Sequence, residues 1–263
     1  MPAPPPPGGQ LEVTRDDEVW TLRIANPDRA NALDGAILDA LVDTLEGAAA
    51  ARVVLLAGAG DRHFSAGLDL ADRGPEELAG DIADGERRLG RAARAIAECA
   101  RPVICVINGA VFGGALELAI ACDWRVAVRG ARLGMPAARI GVVYAADGLR
   151  RFVAALGPAR ARRIFLTGQP LDAQEAYELG LVDQLASHDD LWDVAYAAAR
   201  DVAGAAPLAV AGTRAIVRAI EEGDPEGSER LAELWRARAF ASADLREGLA
   251  AFRGKRPPEF HEQ

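Results

Sequence analysis

Two short segments rich in small residues constrain the fold of this chain more than any other feature. They are residues 63–70, His-Phe-Ser-Ala-Gly-Leu-Asp-Leu, and residues 108–118, Asn-Gly-Ala-Val-Phe-Gly-Gly-Ala-Leu-Glu-Leu. Each follows an apolar, β-branched run, at 52–56 and 102–107, so we predict that each is a strand ending in a glycine turn that enters a helix. A helix start presents unpaired backbone N–H groups at the positive end of the helix dipole. Two such starts brought together would direct two N–H donors at one oxygen, which is an oxyanion hole.

The wider sequence resembles the enoyl-CoA hydratase/isomerase family, also called the crotonase superfamily. Besides the two turns, matching segments occur in the family's order and spacing between Val13 and Phe260, at 29–33, 166–173, 180–183 and 252–260. The resemblance implies an α/β fold with a crotonase-type ββα spiral core and a helical C-terminal region. It also implies an enzyme that stabilises the enolate of an acyl-CoA thioester in a backbone oxyanion hole.

The pattern of apolar residues predicts the order of the elements. Strands and helices alternate over about the first 130 residues, and the remainder is almost entirely helical. We predict a hairpin from Leu11–Val13 and Val19–Ile24, and a helix over 33–51 with Asp34 as its cap. Further strands are predicted at 53–57, 103–107 and 124–128, and further helices at 85–99, 113–121, 148–156, 158–166, 173–179, 191–203, 207–222, 228–240 and 245–253. We expect a disordered proline-rich tail at 1–10, an acyl-CoA-binding core at 11–200 and a helical oligomerisation region at 201–263.

Composition argues against several classes of partner. The 263 residues carry a net charge of −9 with no basic run, which disfavours a nucleic acid or an anionic membrane. We find no apolar stretch of membrane-spanning length and no signal-like N-terminus, and therefore expect a cytoplasmic protein. Cys99, Cys105 and Cys122 lie in apolar segments and are predicted to be reduced structural thiols. Because His, Cys and Asp are not clustered at ligand spacing, no metal site is expected.

The resemblance assigns the two backbone donors and one acidic residue. In the family the donors are N–H groups at positions that match Leu68 and Gly114, and the alternative is that these glycine turns are only tight turns. Family hydratases carry one glutamate at the position of Glu117 and a second directly after a proline, where this chain has Ala137. Alanine can neither take nor give a proton, so the pair of carboxylates that adds water to a double bond is incomplete.

Tyr144 then becomes the notable polar residue. Residues 135–144 end in Gly-Val-Val-Tyr and resemble the matching stretch of methylmalonyl-CoA decarboxylase, which also lacks the second glutamate. Tyr144 would orient a substrate carboxylate or protonate the product, or it is a buried core residue. Glu117 would donate a proton, bind water, or only support the turn. Asp147 is a weaker acid/base candidate and is better explained as a helix N-cap.

These residues favour decarboxylation, because loss of carbon dioxide from a β-carboxyl thioester gives the enolate directly and needs no base. We therefore predict a lyase that decarboxylates a methylmalonyl-CoA-like substrate. An enoyl-CoA hydratase or isomerase is the first alternative, and a non-catalytic acyl-CoA-binding homologue is the second. Coenzyme A would arrive as part of the substrate, and no separate cofactor is expected.

Coenzyme A recognition and assembly are also implied by the resemblance. In the family, backbone near the first turn holds the pantetheine and the adenine, at positions that match Ala30, Ala32, Leu33, Ala66 and Leu68. Arg29 lies where a basic group meets phosphate, and Lys255, the only lysine of the chain, matches a basic residue that often approaches the nucleotide of a neighbouring subunit. Family members form trimers or hexamers through their C-terminal helices. The apolar residues of the last helices suit that role: Leu231, Leu234, Trp235, Phe240, Leu249 and Phe252.

Overall fold

The structure is a computed structural model that describes residues 8–16, 18–69 and 75–261. Most of the predicted proline-rich tail lies outside these residues, and its last residue, Gln10, already begins the first strand. The N–H of Gly9 donates a hydrogen bond to Asp34 Oδ2 at 2.8 Å. Asp34 is the predicted cap, since its Oδ1 accepts from the N–H of Ile37 at 2.8 Å. The helix that it caps ends at Glu46, earlier than the pattern predicts.

The described residues form strands and helices that alternate and then become helical, as predicted. The strands are β1 (Gln10–Asp16), β2 (Val19–Ala25), β3 (Val53–Gly58), β4 (His63–Ser65), β5 (Val103–Ile107), β6 (Ala110–Phe112), β7 (Trp124–Val128), β8 (Arg132–Gly134), β9 (Leu171–Asp172) and β10 (Gln184–Ala186). The α-helices are α1 (Gly35–Glu46), α2 (Pro75–Glu98), α3 (Gly114–Ala121), α4 (Ala146–Thr167), α5 (Ala173–Glu178), α6 (Leu191–Ala203), α7 (Pro207–Glu221), α8 (Pro225–Ala241) and α9 (Ala243–Gly254).

Two sheets organise the core. The larger has the strand order β1-β2-β3-β5-β7-β10, and the smaller has the order β4-β6-β8-β9. β1 and β2 form the predicted antiparallel hairpin, and the other pairs of the larger sheet are parallel. β3 and β5 are buried along their whole length. Their continuous apolar sequences follow from this, because a central parallel strand is covered on both faces.

Each central strand of the larger sheet is followed by a short strand of the smaller one, in the pairs β3–β4, β5–β6 and β7–β8. An α-helix follows each pair, so the α/β class and the ββα core are confirmed. The apolar pattern misses the short strands of the smaller sheet and β10. Two or three residues are too few to show a periodicity.

The first glycine turn differs from its prediction. It follows β4, and Leu68 forms a parallel bridge with Leu33 instead of beginning a helix. The next helix, α2, begins only at Pro75. The second turn enters a helix as predicted, because α3 begins at Gly114, two residues after the end of β6. The second turn therefore has a helix dipole behind its N–H group.

The helix that follows the segment around Tyr144 corrects another prediction. α4 contains a break at Gly157, whose φ of 76° separates the two helices predicted from the sequence. Asp147 is not the N-cap, because Ala145 occupies that position. Asp147 lies instead in the first turn of α4 and forms an ion pair with Arg150 on the surface. An acidic residue there complements the positive end of the helix dipole.

The three cysteines, Cys99, Cys105 and Cys122, are free and buried. Burial raises the pKa of the Cys99 thiol, and burial together with the neighbouring Cys105 raises the pKa of Cys122 well above its ordinary value. A thiol with a raised pKa is a poor nucleophile at neutral pH. These surroundings agree with the prediction that the thiols are structural.

The C-terminal helices pack on one another and leave apolar side chains exposed on the single chain. Trp235 of α8 covers Gly212 of α7, where a Cβ would lie 2.8 Å from the tryptophan Cβ. Phe240 is 65% exposed and Phe252 is 84% exposed. No single helix within the described ranges is long and apolar enough to cross a membrane. In these ranges one pair of consecutive helices, α6 and α7, has the necessary length and composition when taken together, but the pair is bent by 103°.

Candidate active site

The two glycine turns meet because their strands are neighbours. β4 and β6 pair in parallel, so the chain leaves both strands at the same edge of the smaller sheet. Gly67 has a φ of 95° and Gly113 a φ of 55°, conformations that favour glycine. A Cβ on Gly67 would lie 2.7 Å from the carbonyl oxygen of Phe112 and 3.3 Å from the amide nitrogen of Gly114. The glycines therefore permit the turns and also let the two backbones touch.

The N–H groups of Leu68 and Gly114 lie on these touching turns. The groups beside them are already used: Leu33 N–H donates to the Gly67 carbonyl at 2.7 Å, and Gly113 N–H donates to the Gly134 carbonyl at 2.9 Å. Across residues 8–16, 18–69 and 75–261, no carbonyl or side chain accepts a hydrogen bond from the N–H of Leu68 or of Gly114. Two adjacent, unused donors are the requirement for an oxyanion hole.

Glu117 lies one helical turn from the second donor. It is the fourth residue of α3 and is only 3% exposed. Helical side chains lean toward the N-terminus of their helix, which directs this carboxylate toward the glycine turn. Tyr144 Oη donates to Glu117 Oε2 at 2.6 Å, and Arg151 Nη1 donates to Oε1 at 2.8 Å. Both carboxylate oxygens therefore accept a hydrogen bond from a distant part of the chain.

Burial dominates the electrostatics of this cluster. It raises the pKa of Glu117 above the ordinary value of 4.5, against the hydrogen bond from Tyr144 and the charge of Arg151, which both lower it. Burial also raises the pKa of Tyr144 well above 10.0, and the negative charge of Glu117 acts in the same direction. Tyr144 therefore keeps its proton and donates a hydrogen bond to the carboxylate. Glu117 retains a proton more readily than a surface glutamate does.

Arg151 is the member of this cluster that the sequence did not suggest. It lies in α4, 34 residues after Glu117, and no local spacing connects the two. Gly148 lets α4 approach closely, since a Cβ there would lie 2.4 Å from Tyr144 Cε1 and 2.8 Å from Glu117 Oε2. The contact depends on how α4 packs against α3, which local sequence does not reveal.

A cavity of about 860 Å³ lies beside the cluster. Glu117 and Tyr144 line this cavity, together with Glu86 and Leu89 of α2. The cavity borders the second turn, because a Cβ on Gly114 would lie 2.7 Å from Leu89 Cδ2. Its volume falls within the range of small-molecule sites in proteins. An acyl group bound by the two donors would therefore have space beside Glu117.

Five of the predicted coenzyme A positions lie together at the first turn. Ala66 N–H donates to the Ala30 carbonyl at 3.0 Å, which joins the first turn to the segment before α1. Leu33 pairs with Leu68 in the parallel bridge. Ala32, which lies between Ala30 and Leu33 in the sequence, is buried. These contacts form one continuous backbone surface beside the Leu68 N–H.

The two predicted basic residues are placed differently. Arg29 precedes this surface and forms an ion pair with Asp69, with Nη1 2.9 Å from Oδ2. Lys255 follows α9 with an exposed side chain, and its backbone N–H donates to the carbonyls of Ala251 and Phe252. Within the described residues, no hydrogen bond or ion pair joins Lys255 to the first turn.

Comparisons with known proteins show the family. The sequence model of the enoyl-CoA hydratase/isomerase family matches residues 14–263. The chain is 32% identical over 255 residues to 2,3-dehydroadipyl-CoA hydratase of Escherichia coli (strain K12), covering 95% of this chain and 98% of that protein. It is 31% identical over 265 residues to carnitinyl-CoA dehydratase of Salmonella agona (strain SL483), covering 94% and 97%.

Solved structures lead to the same family. The crystal structure of an enoyl-CoA hydratase from Bacillus anthracis superposes with a TM-score of 0.89 at 29% identity, covering 97% of this chain and 100% of that one. Fold and sequence agree, and the chain belongs to the enoyl-CoA hydratase/isomerase family of enzymes.

Proposed function

We propose that this enzyme reversibly adds water to the double bond of a 2-enoyl-CoA thioester. The observation that carries the proposal is the buried carboxylate of Glu117, one helical turn from the unused N–H of Gly114. The hydratase and dehydratase names of the two relatives support the same choice, which was the alternative in the sequence-based prediction.

The oxyanion hole would stabilise the enolate of the reaction. The thioester oxygen accepts hydrogen bonds from the N–H groups of Leu68 and Gly114. As the oxygen of water bonds to C3, the electron pair of the double bond moves toward the thioester oxygen, where the two donors and the α3 dipole stabilise it. When the enolate collapses, C2 takes a proton and the thioester is restored.

Glu117 would supply that proton to C2. Burial raises its pKa, so it holds a proton to a higher pH than a surface glutamate does, as suits a general acid. Tyr144 and Arg151 fix the position of the carboxyl group through their hydrogen bonds. Both side chains act on the reaction through Glu117 and are positioning residues.

Decarboxylation of a methylmalonyl-CoA-like substrate is the second candidate. It is favoured by Ala137, which places no carboxylate where family hydratases carry their second glutamate. In that reaction the C–C bond to the carboxylate breaks, carbon dioxide leaves, and the electron pair forms the enolate held by the same two donors. The hydrogen bond of Tyr144 to Glu117 counts against it, because the hydroxyl predicted to hold the substrate carboxylate already has an acceptor.

Product analysis tests the two candidates directly. We would incubate the native protein separately with crotonyl-CoA, 2,3-dehydroadipyl-CoA and methylmalonyl-CoA and identify products by mass spectrometry. We expect hydrated products from an enoyl-CoA and a loss of about 10²- to 10⁴-fold in kcat for Glu117→Gln. Glu98→Gln, at the far end of the same cavity, is the matched control and should remain near native.

Two other outcomes would contradict the hydratase proposal. Decarboxylation of methylmalonyl-CoA without hydration would replace the proposal with the second candidate. Tight binding of the thioesters with no turnover of any would identify a non-catalytic acyl-CoA-binding homologue.

We also propose that coenzyme A binds along the first turn and that residues 201–263 mediate assembly into a trimer or hexamer. The continuous backbone at Ala30, Leu33 and Ala66 supports the first part. The exposed Phe240 and Phe252 support the second, because apolar side chains of this size are usually covered by a partner. A neighbouring chain would then bring Lys255 to the nucleotide.

A further inference from the structure

Hydration of an enoyl-CoA moves two protons, and Glu117 accounts for one of them. Glu117 delivers a proton to C2, but the attacking water must also lose a proton as its oxygen bonds to C3. Family hydratases carry a second glutamate directly after the proline that corresponds to Pro136. Here that position is Ala137, which is buried and begins a short 3₁₀ helix. The second acid/base group must therefore come from another element.

Helix α2 passes over both oxyanion donors. A Cβ on Gly85 would lie 3.3 Å from Leu68 Cδ1, so the helix touches the residue that carries the first donor. One turn later, Leu89 Cδ2 lies 2.7 Å from the position of a Cβ on Gly114, which carries the second donor. The segment 85–89 thus spans the oxyanion hole. A side chain from this segment reaches the space beside a bound thioester.

Glu86 is the acidic residue of that segment. It lies three residues before Leu89, and side chains at this spacing share a helix face. Glu86 lines the same cavity as Glu117 and Tyr144. Its negative charge contributes to the raised pKa of both residues, which places it within electrostatic range of each. Glu86 is half-buried, and within the described residues no hydrogen-bond donor or cation contacts its carboxylate.

The other charged residues of α2 that line this cavity are less suitable. Arg87 forms an ion pair with Asp84, and cations cannot take a proton from water. Glu98 also lines the cavity, but it ends α2. Twelve residues of helix, or about 18 Å, separate it from Glu86. Among the acidic residues of α2 that line the cavity, Glu86 is therefore the one placed over the oxyanion hole.

We infer that Glu86 is the second acid/base group of the hydration, taking the proton from water while Glu117 delivers its proton to C2. In this step an O–H bond of water breaks and its proton passes to the Glu86 carboxylate. The O–C3 and C2–H bonds form, and Glu117 becomes ionised. Glu86 then loses its proton to solvent through the open cavity, and Glu117 regains one. The inference rests on the proposed hydratase function and assigns its missing base.

The test compares Glu86→Gln with native protein, Glu117→Gln and Glu98→Gln. Two activities are measured for each protein. The first is hydration, with crotonyl-CoA and with 2,3-dehydroadipyl-CoA as substrates. The second is exchange of the C2 hydrogen of butyryl-CoA in D₂O, followed by mass spectrometry. Exchange at C2 needs the oxyanion hole and Glu117 but no water addition. Circular dichroism and the thermal midpoint check that each variant is folded.

We expect Glu86→Gln to lower kcat for hydration by about 10²-fold or more, the usual contribution of a general base. The ratio of hydration to exchange should fall at least about tenfold, whereas Glu117→Gln lowers both rates together. General damage to the site would also lower both rates together and leave the ratio unchanged, which would overturn the inference.

Three further results are decisive. Hydration by Glu86→Gln within about threefold of native would overturn the role of Glu86 and leave the hydratase proposal standing. Absence of hydration by the native protein with both enoyl-CoA substrates would overturn the hydratase proposal, and the role of Glu86 with it. If Glu98→Gln lowered hydration as much as Glu86→Gln does, the effect would come from the total negative charge of the cavity and not from Glu86 as a base. That result would also overturn the inference.

Discussion

Substitution of Gly114 by proline removes one proposed oxyanion donor with little other change to the backbone. Gly114 is the first residue of α3, where proline is well tolerated because its φ already suits a helix. The lost N–H has no acceptor within the described residues, so no hydrogen bond in the folded chain is broken. The substitution therefore tests binding of the substrate oxygen rather than the stability of α3.

The expected magnitude follows from the donor and from the space around it. Loss of one oxyanion-hole donor lowers kcat by about 10²- to 10³-fold, or about 2.7–4 kcal/mol. Any side chain at position 114 also meets Leu89, since a Cβ there would lie 2.7 Å from Leu89 Cδ2 and 3.4 Å from Leu68 Cγ. Overpacking of this kind costs about 1–3 kcal/mol in the free energy of unfolding. Gly114→Ala introduces the same Cβ contact with Leu89 and keeps the N–H, so it is the matched control.

The assay measures kcat and KM for hydration of crotonyl-CoA, together with the thermal midpoint, in native, Gly114→Ala and Gly114→Pro proteins. We expect similar thermal midpoints for the two variants and a kcat for Gly114→Pro about 10²- to 10³-fold below that of Gly114→Ala. Equal kcat values in the two variants would refute the assignment of the Gly114 N–H as a donor.

Three further predictions address the rest of the site. Ala137→Glu, placed in the Glu86→Gln protein, should restore part of the lost hydration measured with crotonyl-CoA, at a lower thermal midpoint because Ala137 is buried; no recovery would show that position 137 does not face the substrate. Because the pKa of Glu117 is raised above 4.5 in the folded chain, the free energy of unfolding should decrease as pH rises from about 4.5, and urea titrations of Glu117→Gln should show a smaller decrease. Lys255→Ala should weaken coenzyme A binding modestly in calorimetry, less so at high salt, and truncation after Ser242 should lower both that affinity and the oligomeric state. A full-length monomer by light scattering with full coenzyme A affinity would contradict the shared site.

Local sequence determined the parts of this protein that depend on neighbouring residues. The apolar runs of β3 and β5 predict buried strands because a central parallel strand is apolar on both faces. Asp34 predicts its helix start because the cap bonds the N–H of a residue three positions later. The glycine turns predict two adjacent donors, and the family resemblance places Glu117 beside them.

Only the tertiary structure decided how the site is completed. Leu68 lies in a bridge to Leu33 rather than at a helix start, because pairing with a distant segment determines the backbone there. The raised pKa of Glu117 and its bonds to Tyr144 and Arg151 arise from burial and from the packing of α4 on α3. Glu86 faces the same cavity only because α2 crosses both turns. Such contacts join residues tens of positions apart, and their free energies depend on desolvation, which exists only once the chain has folded.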